Sequence, residues 1–496
     1  MLTRLKISGF KNLYDVEIYF GPFTCIAGPN GSGKSNLFDA IIFLSSLASG
    51  ETFMNAACRV RDESGRTSNA RNIFLKTGNE YAREISFEAE MLIPREGIDD
   101  LGQQAEANIT FVTYKLKLGY REDTTLSQSG AIEIIQEQLS RINVSEASKH
   151  LRFPKNRLWL NSVVQGKKGS ELISTDDTKH TIKLHQDKNI LLYGDKKVSG
   201  GRPREFPMPR LPRTVLSSAN ATESPTALLT RQEMQSWRLL QLEPSALRRP
   251  DDYNAQTKLG SDGSHLPATL FNLAHHPKND NNSSPSIYDQ VTFSLSQLID
   301  DINDIKVDAD PKREIYTIEV ADKYGTYYPA RSLSDGTLRF LALAVMKLDT
   351  KTTGLICLEE PENGIHPERI PAIIRILREI AVDTNNPIGE NNPLRQVIVN
   401  THSPAVVPQV SLEDLLVIQM ERKIINRKTF MAPSFKCVDG SWRAKMMPEI
   451  KPIEHGVLLP YLNPVASADT KYPEKNYRRV ADIPHFQFKL PFNNKQ

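Results

Sequence analysis

The chain has 496 residues, a formal net charge of +3 and a hydrophobic content of 39%. That length suits two or three domains with a sizeable core; no apolar run approaches the length that spans a bilayer, and the near balance of acids and bases neither argues for a polyanionic partner nor excludes one. Cys25, Cys58, Cys357 and Cys437 form no C-x-x-C pair, and the first residues alternate in polarity without a signal-peptide core. A reduced, disulfide-free cytoplasmic protein without a structural zinc site is expected.

Alternating apolar residues predict strands over 2–8 and 15–20, followed by an apolar strand over 23–27 and a helix over 35–47 with Leu37, Ala40, Ile41, Leu44 and Leu47 on one face. Residues 50–76 read as irregular. Strand-like alternation over 84–93 and 108–120 suggests an antiparallel layer beside a main sheet. The pattern weakens over 123–300. There, 200–213 interleaves Arg202, Arg204, Arg210 and Arg213 with prolines and reads as a connector; 237–268 has a helix-like start and a turn-rich Gly260-Ser261-Asp262-Gly263-Ser264; 278–286 reads as a polar linker. Regular order returns with a helix over 294–305, a strand over 315–320, a helix over 338–348, a strand over 354–358, a helix over 367–381 and strands over 396–400 and 415–419.

Four motifs carry chemistry. Gly28-Pro29-Asn30-Gly31-Ser32-Gly33-Lys34-Ser35 fits G-x-x-x-x-G-K-[ST] and lies between an apolar strand and an amphipathic helix, the context a phosphate-binding P-loop requires. Glycines let backbone N–H groups turn inward and the helix N-terminus adds partial positive charge; Lys34 is expected to reach the β- and γ-phosphates of ATP and Ser35 to place its hydroxyl on Mg²⁺. Leu355-Ile356-Cys357-Leu358-Glu359-Glu360-Pro361 ends an apolar strand in two carboxylates, with Glu359 expected on the metal and Glu360 polarising an attacking water. The plain alternative is a pair of solvated acids, which the P-loop upstream disfavours. Leu333-Ser334-Asp335-Gly336-Thr337 opens a helix, where Ser334 and the Gly336 backbone can face an anion or serve only as a cap. A strand also delivers His402 to the sheet edge, where a neutral imidazole can bond the γ-phosphate or hold water, or be merely structural.

In this order the four motifs resemble the ATPase head of the ABC superfamily, in its SMC/RecF-like branch, and the related bacterial AAA family ATPases whose heads are similar to those of OLD-family proteins. The resemblance covers about 1–93 and 315–419. It implies an α/β P-loop NTPase head with a mixed sheet and an antiparallel β layer. Gly28 to Ser35 is then Walker A, Leu355 to Glu360 Walker B with its catalytic glutamate, Leu333 to Thr337 the signature, Glu362 to Pro367 the D-loop and His402 the switch histidine. The chain departs from the family in carrying Glu359 where Asp is usual and Asp335 where the transporters carry Gly. No position stands out for the Q-loop glutamine, and Arg59 and Arg61 after the first helix carry no assigned role.

The expected organisation is an N-terminal lobe over 1–122, a large mixed insertion over 123–300 with no coiled-coil heptads, a C-terminal lobe over 301–420 and a tail over 421–496. Past His402, Glu413 and Asp414 do not form the D-x-D of a fused Toprim nuclease, and His275 and His276 read as solvated. The resemblance further implies a head-to-head dimer, since one chain has one Walker A and one signature. It points to coupling with a separate effector, such as a nuclease, in bacterial anti-phage defence, or alternatively to a RecF-like ATP-dependent DNA-binding protein of DNA repair. DNA is therefore a candidate partner and a membrane is not.

Overall fold

A computed structural model of the chain describes residues 1–62, 65–66, 69–122, 131–166, 169–187, 201–275, 286–297, 302–425, 427–446 and 451–454. His276, the linker at 278–285 and the tail beyond 454 lie outside the described residues.

Strand β1 (Leu2–Ser8) buries Leu2, Leu5 and Ile7 and pairs antiparallel with β2 (Val16–Tyr19). The chain then crosses to a second layer. There β3 (Phe23–Ala27) is buried at all five positions and shows no alternation, because both of its faces are covered. After helix α1 (Lys34–Ala48), the strands β4 (Glu84–Leu92), β5 (Phe111–Arg121), β6 (Ala131–Arg141), β7 (Ile173–Asp176), β8 (Thr181–Leu184) and β9 (Arg204–Pro207) extend the first layer. The result is an eight-stranded sheet in the order β9-β8-β7-β6-β5-β4-β1-β2, antiparallel throughout.

Helix α2 (Pro225–Gln235) leads into β10 (Arg238–Leu240), which joins the second layer. Helix α3 (Ile287–Ser296) precedes a small antiparallel sheet of β11 (Ile302–Asp310), β12 (Ile315–Asp322) and β13 (Tyr327–Pro329). The remaining elements are α4 (Asp335–Leu348), β14 (Gly354–Glu359), α5 (Ile370–Ile380), β15 (Arg395–Thr401), β16 (Leu415–Ile425) and β17 (Lys428–Cys437). The second sheet has the order β10-β14-β15-β3-β16-β17, parallel everywhere except the final β16/β17 pair. The mixed sheet and the antiparallel layer are thus both present.

Alternate residues of the second sheet face two cores. Ile26, Leu355, Cys357, Ile398 and Leu416 pack with α1 and the antiparallel layer. Cys25, Ala27, Ile356, Leu358, Val397 and Val399 pack with α4 and α5. Helix α5 buries Ile370, Ile373, Ile374, Leu377 and Ile380, a stripe at helical spacing; each such side chain contributes about 1.5–3 kcal/mol by leaving water. No helix among the described residues is long and apolar enough to cross a membrane.

Several local expectations are corrected. The helix expected over 294–305 ends at Ser296, and Ile302 begins a strand. The helix-like start at 237 is strand β10, a three-residue partner of β14 too short to show a period. The irregular 50–76 contains a helix, Phe53–Arg59, capped by Thr52. The connector at 200–213 contains the edge strand β9. The stretch between 123 and 300 is woven into both sheets through β6 to β10.

Glu137, on β6, is wholly buried. It accepts hydrogen bonds from the Tyr114 hydroxyl at 3.0 Å and from the backbone N–H groups of Val215 at 2.7 Å and Leu216 at 2.8 Å, fastening the 214–218 segment beneath the sheet. Burial pushes its carboxyl up to about 7 against the opposing pull of those bonds. The unfolded chain releases this proton near the ordinary 4.5, so the folded protein holds more protons between those values and loses stability as pH rises through that window. Substituting Glu137→Gln should flatten the dependence, by up to about 1.4 kcal/mol per pH unit. Urea unfolding from pH 4.5 to 7 tests this, and equal slopes in both proteins would discard the role.

Candidate nucleotide site

The C-terminal ends of the parallel strands form one edge. β3 delivers Gly28, whose N–H donates to the Thr401 carbonyl at the end of β15, at 3.1 Å. The loop then turns back through Gly31 at φ +76° and Gly33 at φ +98°, both in the left-handed region. At Gly33 a Cβ would come within 2.8 Å of the Asn12 amide, so a side chain there would displace Asn12 as well as strain the backbone. Helix α1 starts at Lys34. The Lys34 ammonium donates to the carbonyls of Gly28 at 2.7 Å and Pro29 at 2.9 Å, closing the loop on itself. Burial draws its pKa down, opposed by Glu360, Glu362 and Glu359.

Across the cleft, β14 ends in the acidic pair. The Glu359 carboxylate is gripped by Arg61, with Nη1 donating at 2.7 Å and Nη2 at 3.1 Å. The same guanidinium donates through Nε to Asp39 on α1 at 2.8 Å and through Nη2 to the Ser35 carbonyl at 3.3 Å. Burial works to raise the Glu359 pKa, but Arg61, with Ser35 and Asn400, holds it below the usual carboxylate value. Glu360 has φ +44°, a conformation that costs a non-glycine residue about 1–3 kcal/mol and recurs where the surroundings over-determine it. Its N–H donates to the Asn400 carbonyl at 3.0 Å and lies 3.2 Å from the Asn400 side-chain oxygen. Its carboxylate accepts from Asn363 Nδ2 at 2.8 Å and meets His402 Nδ1 at 2.6 Å. A carboxylate only accepts, so Nδ1 carries the proton and Nε2 is left for another partner. Glu362 is buried, takes the Thr401 hydroxyl as donor and has its pKa raised by burial.

Lys34, Glu359, Glu360 and Asn363 line a cleft of about 510 Å³ with Asn30, Gly31, Gly33, Ser35, Leu242, Arg339 and Asn400 among its walls, while Gly28, Arg61 and His402 stand behind that lining. The chain's chemistry fits a nucleotide phosphate and a divalent cation. Ser32 Oγ is buried without a hydrogen-bond partner among the described residues. Among the described residues, the carboxylates on the wall are Glu243, Glu359 and Glu360. No group of three or more His, Cys, Asp or Glu suited to a metal occurs among the described residues.

Ser334 and Gly336 are not on this cleft. Ser334 is exposed and caps α4, its hydroxyl accepting from the Thr337 N–H at 3.2 Å. Gly336 packs so tightly against the Glu362–His366 segment that a Cβ would meet the Gly364 carbonyl at 3.2 Å. Arg248 donates to Asp335 and to the Leu333 carbonyl, and Arg339 donates to the carbonyls of Leu242 and Asn363. The two acids past His402 are structural: Glu413 holds the N–H of Trp442, and Asp414 is buried with its carboxyl raised to about 6 by burial.

Two features of the site carry no local signal in the sequence, Gln241 on the cleft wall and Arg61 behind Glu359. Gln241 follows β10 directly and reaches the cleft beside Glu359. It ends an apolar pair, but the pairing partner that gives this meaning lies more than a hundred residues away. Arg61 was noted without a role because nothing local ties it to Glu359.

Residues 159–407, half of the chain, match the family model described as "AAA domain, putative AbiEii toxin, Type IV TA system", and residues 4–199 match a second AAA domain model. Curated relatives include the DNA replication and repair protein RecF of Magnetococcus marinus, 46% identical over 56 residues (11% of this chain, 14% of RecF). The OLD nuclease of Thermus scotoductus is 46% identical over 41 residues (8% of each chain). The probable branched-chain amino acid transport ATP-binding protein LivF of Archaeoglobus fulgidus is 39% identical over 61 residues (11% of this chain, 26% of LivF). The chain thus spans between 8% and 26% of the length of these relatives. Among solved structures, an SMC head bound to the C-winged helix domain of ScpA covers 87% of this chain and 97% of its own at 14% identity and a TM-score of 0.45, and the SMC head domain from Thermotoga maritima covers 87% and 98% at 12% and 0.35. The chain belongs to the AAA-domain family "AAA domain, putative AbiEii toxin, Type IV TA system".

Proposed function

We propose that the chain binds and hydrolyses ATP at this cleft, that two copies close on each other around the nucleotide, and that the cycle drives a partner effector in bacterial anti-phage defence. The observation that carries the reading is the convergence of Lys34, Ser35, Glu359 and Glu360 on one cleft, with His402 bonded to Glu360.

Each residue has a defined task. Gly28, Pro29, Asn30, Gly31, Ser32 and Gly33 offer the loop whose N–H groups face the phosphates. Lys34 exchanges the carbonyls of Gly28 and Pro29 for phosphate oxygen. Ser35 and Glu359 would hold Mg²⁺, which supplies neutralisation of phosphate charge; Arg61 must then release Glu359. Glu360 accepts the proton of the attacking water, held by Asn363 and by His402 Nδ1, whose Nε2 remains free to face phosphate or water. Gln241 extends from the strand beside Walker B to the same wall. Ser334 and the Gly336 N–H would complete the cleft of a second copy, since Ser334 is exposed and neither lines its own cleft.

The family description, which names a toxin of a type IV toxin–antitoxin system, and the OLD nuclease match support the defence role. The RecF matches support the second reading, an ATP-dependent DNA-binding protein of repair type.

Lys34→Ala is expected to lose ATP binding in calorimetry. Glu360→Gln is expected to retain binding, lose at least about 100-fold in turnover and accumulate as an ATP-dependent dimer by light scattering. Equal hydrolysis by wild type and both variants would remove the assignment. Arg61→Ala should free Glu359 and tighten Mn²⁺ binding several-fold in paramagnetic resonance titrations; weaker Mn²⁺ binding would instead make Arg61 a support of the metal site.

A further inference from the structure

β16 pairs with β3 only at Leu415, Leu416 and Val417; from Ile418 to Ile425 its partner is β17 alone. Because β16 runs parallel to β3, this part continues beyond the strand end where the P-loop begins, and eight residues at ~3.4 Å each give a ribbon of about 27 Å. The ribbon is braced. Phe430 meets Tyr14 edge-on at 5.5 Å, and Lys428 pairs with Glu80 at 2.7 Å.

Residues 419–436 carry Arg422, Lys423, Arg427, Lys428 and Lys436 against one carboxylate, Glu421, a surplus of four where the whole chain has a surplus of three. Glu421 engages Lys423 and Lys436, and Glu80 engages Lys428. Arg422 and Arg427 are left exposed, with no acidic partner among the described residues. Near them stand Ile424, 68% exposed, and Met431, 51% exposed, the latter opposite Arg422 across the ladder.

We propose that this ribbon is a docking arm for nucleic acid and takes the phosphate backbone of duplex DNA. Guanidinium forks match phosphate geometry. A two-stranded β-ribbon fits the B-form major groove, about 12 Å wide, where apolar side chains can contact thymine methyl groups. The competing occupant is acidic protein, such as the sheet bearing Asp304, Asp308, Asp310 and Asp322 on a second copy. Two exposed apolar side chains fall far short of the roughly 800 Å² per partner of a stable protein interface, whereas a polyanion needs little apolar contact because counterion release drives its binding. The proposal does not depend on ATP binding.

The test is anisotropy with a labelled DNA duplex over a salt series, comparing wild type with Arg422→Ala/Arg427→Ala and Arg422→Glu/Arg427→Glu, with single-stranded DNA and duplex RNA as further arms and circular dichroism with thermal unfolding as the check on folding. Expected are a salt slope shallower by about two for the alanine pair, at least tenfold weaker binding for the glutamate pair, and preference for duplex DNA. Absence of binding by wild type, unchanged affinity and slope in both variants, or preference for either other nucleic acid would overturn the proposal. So would loss of self-association with DNA binding intact, which would assign the ribbon to a second copy.

Discussion

Everything at the cleft depends on the register of three parallel strands. Glu359 on β14 lies beside Asn400 on β15, and Asn400 lies beside Ile26 on β3. With strands about 4.8 Å apart, that row sets the acidic strand roughly 10 Å from the P-loop strand. The residues just past it, Gly28, Glu360 and His402, leave the sheet at one edge, where open α/β sheets place their ligands. A slip of one residue on β14 would turn Leu355 and Cys357 toward the wrong core and carry Glu359 to the opposite face. The buried runs that make these strands unreadable as alternating patterns are what forbid such a slip.

The edge is held by internal substitution of charge. Lys34 satisfies itself on two carbonyls, Arg61 spans Glu359 and Asp39, and His402 meets Glu360. Each of these bonds occupies a group that the proposed chemistry requires, and each uses donors or acceptors that a phosphate or cation would replace in kind. The exchange therefore leaves few buried groups unpaired, which keeps its cost low where an uncompensated buried charge would cost several kcal/mol (about 3–5). The left-handed Glu360 shows where strain is retained instead. Asn400 fixes its backbone from one side while Asn363 and His402 fix its carboxylate, so its orientation does not depend on a ligand.

How much of this was legible follows from the range of the interactions. The P-loop, the acidic strand, the α4 start and the His402 strand end are contiguous in sequence, and their local context of strand, turn and cap is readable from a few residues. Gln241 and Arg61 acquire meaning only from partners at 356–359, and a single sequence has no term for that pairing. The same limit explains β10: three residues, paired with β14, cannot display a period. The misread helix at 294–305 has a different cause, since its apolar spacing is carried by two elements, α3 and β11, that meet across a short gap and mimic one.

The start of α4 bears on the proposed pairing of two copies. A helix N-terminus with an exposed serine normally satisfies itself, and α4 does so through Thr337. Yet its first turn is tied down from three directions: Arg248 on Asp335 and Leu333, the Gly364 carbonyl under Gly336, and Arg339 reaching back to Leu242 and Asn363. Leu242 is next to Gln241, and Asn363 holds Glu360. The carbonyls that anchor the helix therefore belong to segments that line the copy's own cleft. If a nucleotide draws Gln241 or Glu360 toward it, Arg339 must follow or break its bonds, and the first turn of α4 moves with it. Under the proposed pairing that turn faces the other copy, so the state of one cleft would be transmitted to the other through a guanidinium rather than through the bulk of the fold.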